Sequence, residues 1–354
     1  GTVFVFAALL AVALAGRIVI ACSVPGYQVD INCFTAWSMR MADVGPAGFY
    51  LNGYFCDYPP GYLLLLWPCG ILLNAVGYTN TPAALLIVKA IPILCDMLGA
   101  IWLFAFAKKR VGNTAAAFVA GLYALNPAVL VNGAAWGQVD SVLALLMLLT
   151  ACFAMERNWR AALPLFVISM LMKPQALLFA PIGGIWLIMC LFQKQDAKER
   201  AAQWKNVGIG LGIAIAAALA IAVPFSIRQI NPVGWLFKLY SDTLSSYAFA
   251  TLNTANLYYI AGANWVALSR ELPAVLPALT ALALGVFGSY LLLGGRAKGK
   301  PFQWKEKRTL IALLSFAVAL VQIGLWVFSG TYSAYGYVMM AYAFAYAILC
   351  LLFD

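Results

Sequence analysis

The sequence predicts an all-α polytopic membrane protein, a bundle of about ten transmembrane helices. Three observations predict it. The 354 residues are 64% hydrophobic and only 10% charged, with a mean hydropathy of +0.90, which leaves a soluble domain of this length too little polar surface. Apolar runs near 20 residues recur from end to end, the length that crosses a bilayer core of about 30 Å. Basic residues gather in the short segments between those runs.

The same composition excludes several functions. A net charge of +10 would suit nucleic acid, but its placement between apolar runs follows the positive-inside bias, and no separate polar domain exists to grip a duplex. The chain has no histidine, which removes His-based catalysis and His-ligated metals. Eight cysteines are scattered without metal-ligand spacing. Only Cys33 and Cys56 share an expected outer loop, where a disulfide and two thiols are both open. No cleavable signal is recognisable, and ends at Gly1 and Asp354 beside apolar runs read as those of a fragment.

Residues 1–354 are expected to form one transmembrane domain, with spans at 2–24, 85–107, 114–131, 141–155, 161–173, 176–192, 207–224, 272–294, 309–329 and 337–352. Fifteen of the 22 basic residues then fall on one side, among them Lys108, Lys109 and Arg110, Arg157 and Arg160, and Lys194, Lys198, Arg200 and Lys205. That side is read as cytoplasmic. Arg40, Arg228, Lys238 and Arg270 fall on the other. Parity settles two ambiguous segments. Residues 62–78 are apolar enough to span, but crossing there would carry Lys108–Arg110 outside, so they are laid at the outer interface, within a first outer loop at 25–84. Residues 161–192 have basic flanks at both ends and must return, so Lys173-Pro174-Gln175 becomes the bend of a hairpin. Short, proline-interrupted helices of this kind line a cavity.

The outer segments carry the chemistry. Phe34, Trp37 and Met41 recur at helical spacing, a stripe suited to an interfacial helix over 31–43 with Asp30 as its N-cap. Asp30 is equally a carboxylate stationed to take a proton from an incoming hydroxyl. Asp57-Tyr58-Pro59-Pro60-Gly61 aims an acid and a phenol at the cavity mouth, or is turn chemistry alone. Trp136-Gly137-Gln138-Val139-Asp140-Ser141 precedes a span of about 14 apolar residues, roughly 21 Å of helix. Asp140 therefore lies below the outer surface, where a carboxylate must be paired, wet or functional. It also suits an N-cap. Arg17, Lys89, Asp96 and Lys173 are charges within apolar segments. Lys89 and Asp96 share a helical face, which suits a structural ion network; the alternative is that the cations hold an anionic head group. A later outer loop at 225–271 offers Tyr240, Tyr247, Asn253, Asn256, Tyr258 and Trp265, groups suited to stacking on sugars or to an interfacial aromatic belt. The asparagines fit the first reading better.

Taken in order, Gly26-Tyr27-x-x-Asp30-x-x-x-Phe34-x-x-Trp37, Gly48-Phe49-Tyr50, Asp57-Tyr58-Pro59-Pro60-Gly61-Tyr62, Trp136-Gly137-Gln138-x-Asp140-Ser141, Lys173-x-Gln175 and Leu252-Asn253-x-x-Asn256-Leu257 resemble a known family. It is that of the bacterial and archaeal mannosyltransferase-like proteins related to GPI mannosyltransferases, within the GT-C glycosyltransferase superfamily. The resemblance runs from about residue 16 to 330. It implies a GT-C bundle with interfacial helices in the first loop, a polyprenyl-phosphate-linked sugar donor, and inverting transfer to a lipid, glycan or protein acceptor on the outer face. It implies Asp30 as general base. Asp57, Tyr58, Trp136, Gln138, Asp140, Lys173, Gln175, Arg228, Asn253 and Asn256 are the expected substrate-binding set. Two departures stand out. Family members often carry His where this chain has Tyr27, and a late His-Glu-Arg-Tyr segment where it reads Tyr332-Ser333-Ala334-Tyr335. Lys173, Arg228 and Arg270 are the substitutes for the missing late cation. The first loop reads Asp30-Ile31-Asn32, with no DxD metal motif, so no metal cofactor is expected. The rival readings are a transporter or lipid flippase and a non-catalytic scaffold.

Overall fold

The structure is a computed structural model that describes residues 1–77, 81–192 and 196–245, together with 249, 257–260, 262 and 264–267. The chain divides into two compact units, Gly1–Leu244 and Ser245–Asp354. The expected spans at 272–294, 309–329 and 337–352 lie outside the described residues.

Among the described residues of the first unit every regular element is helical. The unbroken apolar run Thr2–Ser23 forms α1, about 33 Å long at 1.5 Å per residue. Gly26, at φ 81°, then turns the chain, and α2 runs Gln28–Phe49. Its N-cap is Tyr27, whose carbonyl accepts from Ile31 N at 3.0 Å. Asp30 is therefore inside the first turn and does not cap the helix, because the glycine turn starts it earlier than expected. Gly45, at φ 63°, breaks α2 ahead of Pro46. Arg40 closes its end, donating to the carbonyls of Phe49 at 2.7 Å and of Gly48 and Leu51 at 3.2 Å each, with its guanidinium 4.0 Å from the Tyr54 ring centroid.

Pro60 begins α3, Pro60–Val76. Next is α4, Pro82–Ala124, capped by Thr81 and broken at Gly112 (φ 80°), just past Lys108-Lys109-Arg110. The two arms of α4 correspond to the expected spans 85–107 and 114–131, but the second stops at Ala124. Pro127 cannot donate to the helix, and Asn126 instead caps α5, Pro127–Leu130, followed by a π-helical turn at Val131–Trp136. α6 covers Asp140–Met155 and α7 covers Trp159–Met172. The chain breaks at Lys173-Pro174 as expected, passes through a 3₁₀ turn at Pro174–Phe179, and enters α8, Ala180–Phe192. α9, Ala197–Ser226, begins ten residues before the expected span because Asp196 Oδ1 accepts from Glu199 N at 2.7 Å and caps a polar first turn. α10 is Pro232–Ser245. In the second unit α11 is Leu257–Ile260, and Phe249 and Ala267 form an isolated antiparallel bridge.

Three of these helices, α1, α4 and α9, are long and apolar enough to cross a membrane. α1 packs on α4, α4 on α6, α6 on α7 and α7 on α9, while α2 packs on α3. The Phe34–Trp37–Met41 stripe is buried, at 3% exposure or less, against Tyr62, Leu63 and Leu66 of α3. The stripe therefore serves a protein core, not a lipid surface. Gly70 makes that packing feasible, since a Cβ there would collide with the Ser38 carbonyl of α2. Arg17 and Asp96, both fully buried, join α1 to α4 at 3.3 Å, and Arg17 Nη1 also donates to Ala124 O at 2.7 Å. Asp96 thus pairs with Arg17 and not with Lys89, its neighbour on the same helical face.

Candidate functional site

The site is assembled around the π-helical turn. Asn132 O accepts from both Gly137 N at 3.1 Å and Gln138 N at 3.0 Å, and Gly137 adopts the left-handed φ of 87° that ends the turn. A wide turn closed in this way lets Trp136 and Gln138 address one target. Trp136 Nε1 donates to Asp30 Oδ2 at 2.8 Å, and Gln138 Nε2 donates to the same oxygen. The ring of Tyr27 lies 5.3 Å from that of Trp136. Asp30 Oδ1 has no donor among the described residues.

Two further charges act on this half-buried carboxyl. Burial pushes its pKa above the usual aspartate value and Asp140 adds to the rise; the Trp136 and Gln138 donors and the positive Lys173 oppose it. Asp140 is the first residue of α6, where the helix N-terminus favours a carboxylate. Its Oδ1 accepts from Lys173 Nζ at 2.7 Å and its Oδ2 from Asn132 Nδ2 at 3.0 Å. It is 2% exposed and fully paired, and it does not cap α6, since Val139 does. Lys173, freed from helix geometry by Pro174, also stands 5.6 Å over the ring of Tyr58. Tyr58 wedges among Phe34, Trp37 and Tyr62, and its burial holds the phenol protonated well above the ordinary range.

Asp57 reaches the same neighbourhood. Its charge and that of Asp30 both reinforce the rise in Cys33's pKa that burial causes, so the thiol senses both acids. Cys33 and Cys56 are free thiols, and the disulfide that their shared loop allowed is not formed. α10 latches onto this region by Thr243 Oγ1, which donates to Asp57 O at 3.0 Å, and by Tyr240 Oη, which donates to Met170 O at 2.8 Å.

The structure therefore brings Asp30, Trp136, Gln138, Asp140, Lys173 and Tyr58 together. Gln138 Oε1 and Gln175 Oε1 are buried with no partner among the described residues, acceptors held ready for a donor. Arg228, just past α9, is exposed and pairs with none of them. Asn253 and Asn256 lie outside the described residues. Asn132 is a member that motif reading missed; an amide in an otherwise apolar run was its only signal. Among the described residues no three His, Cys, Asp or Glu side chains converge as a metal site would require. No protein-family model matches the chain, and no curated protein matches it.

Proposed function

We propose that the protein is an inverting glycosyltransferase of the GT-C kind, a multi-pass enzyme of a bacterial or archaeal plasma membrane. It would move a sugar from a polyprenyl-phosphate-linked donor to an acceptor hydroxyl on the non-cytoplasmic face. The observation that carries this reading is the Asp30 carboxyl, oriented by two N–H donors on one oxygen and without a donor on the other among the described residues, beside the buried Asp140–Lys173 pair. A general base must be fixed in direction and yet present a lone pair, and this arrangement does both.

In the reaction Asp30 Oδ1 takes the proton of the acceptor hydroxyl as its oxygen attacks the anomeric carbon. The bond from that carbon to the lipid phosphate oxygen breaks on the opposite face, and the phosphate leaves with the electron pair. Burial favours proton uptake by Asp30, while Trp136 and Gln138 oppose it and aim the carboxyl beforehand. The amide oxygens of Gln138 and Gln175, without a partner among the described residues, suit sugar hydroxyls, and the ring of Tyr58 suits a sugar face. Lys173 is committed to Asp140, so exposed Arg228 is the better candidate to meet the departing phosphate. The donor, the bilayer and a lipid, glycan or protein acceptor are the partners.

The test is incubation with a panel of radiolabelled polyprenyl-phosphate sugars. Loss of lipid-linked label with the unaltered protein, abolished by Asp30→Asn in a folded variant, supports the reading. Full transfer by Asp30→Asn removes Asp30 as base. Movement of lipid across liposomes without any glycosyl product favours a flippase instead.

A further inference from the structure

Lys89, on the first arm of α4, is fully buried yet faces no carboxylate among its hydrogen-bond partners. Its Nζ donates to three carbonyls: Val24 at 2.6 Å, Ala135 at 3.0 Å and Ala21 at 3.5 Å. An ammonium has three protons, so the set is complete and none is left for a phosphate. The head-group role open to this lysine from sequence is thereby closed.

The three acceptors come from two places. Ala21 and Val24 belong to the C-terminal end of α1, where carbonyls lack helical partners and a cation is favoured. Ala135 belongs to the π-helical turn and immediately precedes Trp136. Around this lysine the residues just past α1 and just past the turn are tightly packed. A Cβ on Gly26 would fall 2.7 Å from Trp136 O, and a Cβ on Gly137 would fall 2.7 Å from Ile31 Cδ1 and 3.2 Å from Lys89 Cγ. Across the joint the Tyr27 ring packs at a tilt against that of Trp136 and Asp30 receives the indole N–H. The acid and its donor sit 106 residues apart in sequence, on separate elements, and Lys89 bonds the end of α1, which leads into the acid's helix, and the turn that carries the donor.

We propose that Lys89 is a positioning residue, tying the end of α1 to the 131–136 turn so that the Trp136 indole stays on Asp30. The inference stands on this geometry and does not depend on which reaction Asp30 serves.

The test reads Asp30 directly. A carbodiimide labels a carboxyl in its protonated form, and peptide mass spectrometry of full-length protein in detergent follows labelling of Asp30 against pH. The groups that act on Asp30 are Trp136 and Gln138 from the turn, Asp140 of α6 and Lys173 at the end of α7; Cys33 lies beside it on α2. Trp136→Phe removes the indole donor and moves the labelling midpoint to higher pH. Lys89→Met is expected to move it in the same direction by a matching amount, and Lys89→Met with Trp136→Phe moves it no further. An unmoved midpoint in Lys89→Met, or a double variant that shifts by the sum of the two, overturns the proposal. Should Lys89→Met fail to fold, Lys89→Gln, which keeps two N–H donors, is read in its place with the same two outcomes and a smaller shift.

Discussion

Lys173 Nζ lies 2.7 Å from Asp140 Oδ1, and this buried pair locks the end of α7 to the first turn of α6. The side chains are 9% and 1% exposed, so neither charge has water to fall back on. Removing one partner of such a pair strands the other, at a cost of about 3–5 kcal/mol. Lys173→Met is therefore expected to lower unfolding stability by that order, measured by chemical denaturation in detergent. A loss under about 1 kcal/mol would show that Asn132 suffices for Asp140.

Loss of the Lys173 charge also acts on Asp30, because that charge is one of the influences holding its pKa down. The acidic limb of any activity that needs ionised Asp30 should move to higher pH in Lys173→Gln. A pH–rate profile checks it, and an unchanged limb would uncouple the two groups.

Asp30 itself carries a stability signature. Its folded pKa is raised by burial above the ordinary aspartate value, so the folded state binds the proton more tightly than the unfolded one. Stability from this group is then highest below the unfolded pKa and declines as pH rises through the folded pKa. Asp30→Asn removes that decline. The variant should be at least as stable as the parent at pH 7 while losing activity, as expected of a group kept for function. Denaturation midpoints at pH 4 and pH 7 test it; a variant clearly less stable at pH 7 would mark Asp30 as structural.

Arg17 and Asp96 form the second buried pair, both fully enclosed. Arg17→Leu alone should cost several kcal/mol, whereas Arg17→Leu with Asp96→Leu should recover most of the loss, because no stranded charge remains. Thermal unfolding of the two variants separates these outcomes; equal losses would mean that the pair itself, rather than charge compensation, stabilises α1 against α4.

Three glycines mark where backbones meet. A Cβ on Gly70 would collide with Ser38 O, one on Gly61 would fall 2.6 Å from Leu171 O, and one on Gly210 would also meet a carbonyl, that of Trp159. Gly70→Ala should destabilise by more than about 1–3 kcal/mol, the usual cost of overpacking, since the obstacle is backbone. Gly16→Ala meets nothing within 4 Å in the middle of α1 and should be neutral or stabilising by up to about 1 kcal/mol. Parallel unfolding curves decide; similar behaviour at both positions would contradict the α2–α3 packing.

Composition and apolar run length by themselves determined that the chain is helical and built for lipid, because those properties are local and additive. So did the breaks after Lys108-Lys109-Arg110 and at Lys173-Pro174, where charge and proline act on their own neighbours. Asp140 and Lys173 were also legible, since a lone charge in an apolar run demands a partner. Which partner each charge takes was decided only by the tertiary structure. Asp96 turned to Arg17 and left Lys89 to three carbonyls, and Asp30 gave up helix capping for Trp136 and Gln138. Such pairings span tens to a hundred residues and depend on which helices pack together, and no spacing along the chain encodes them.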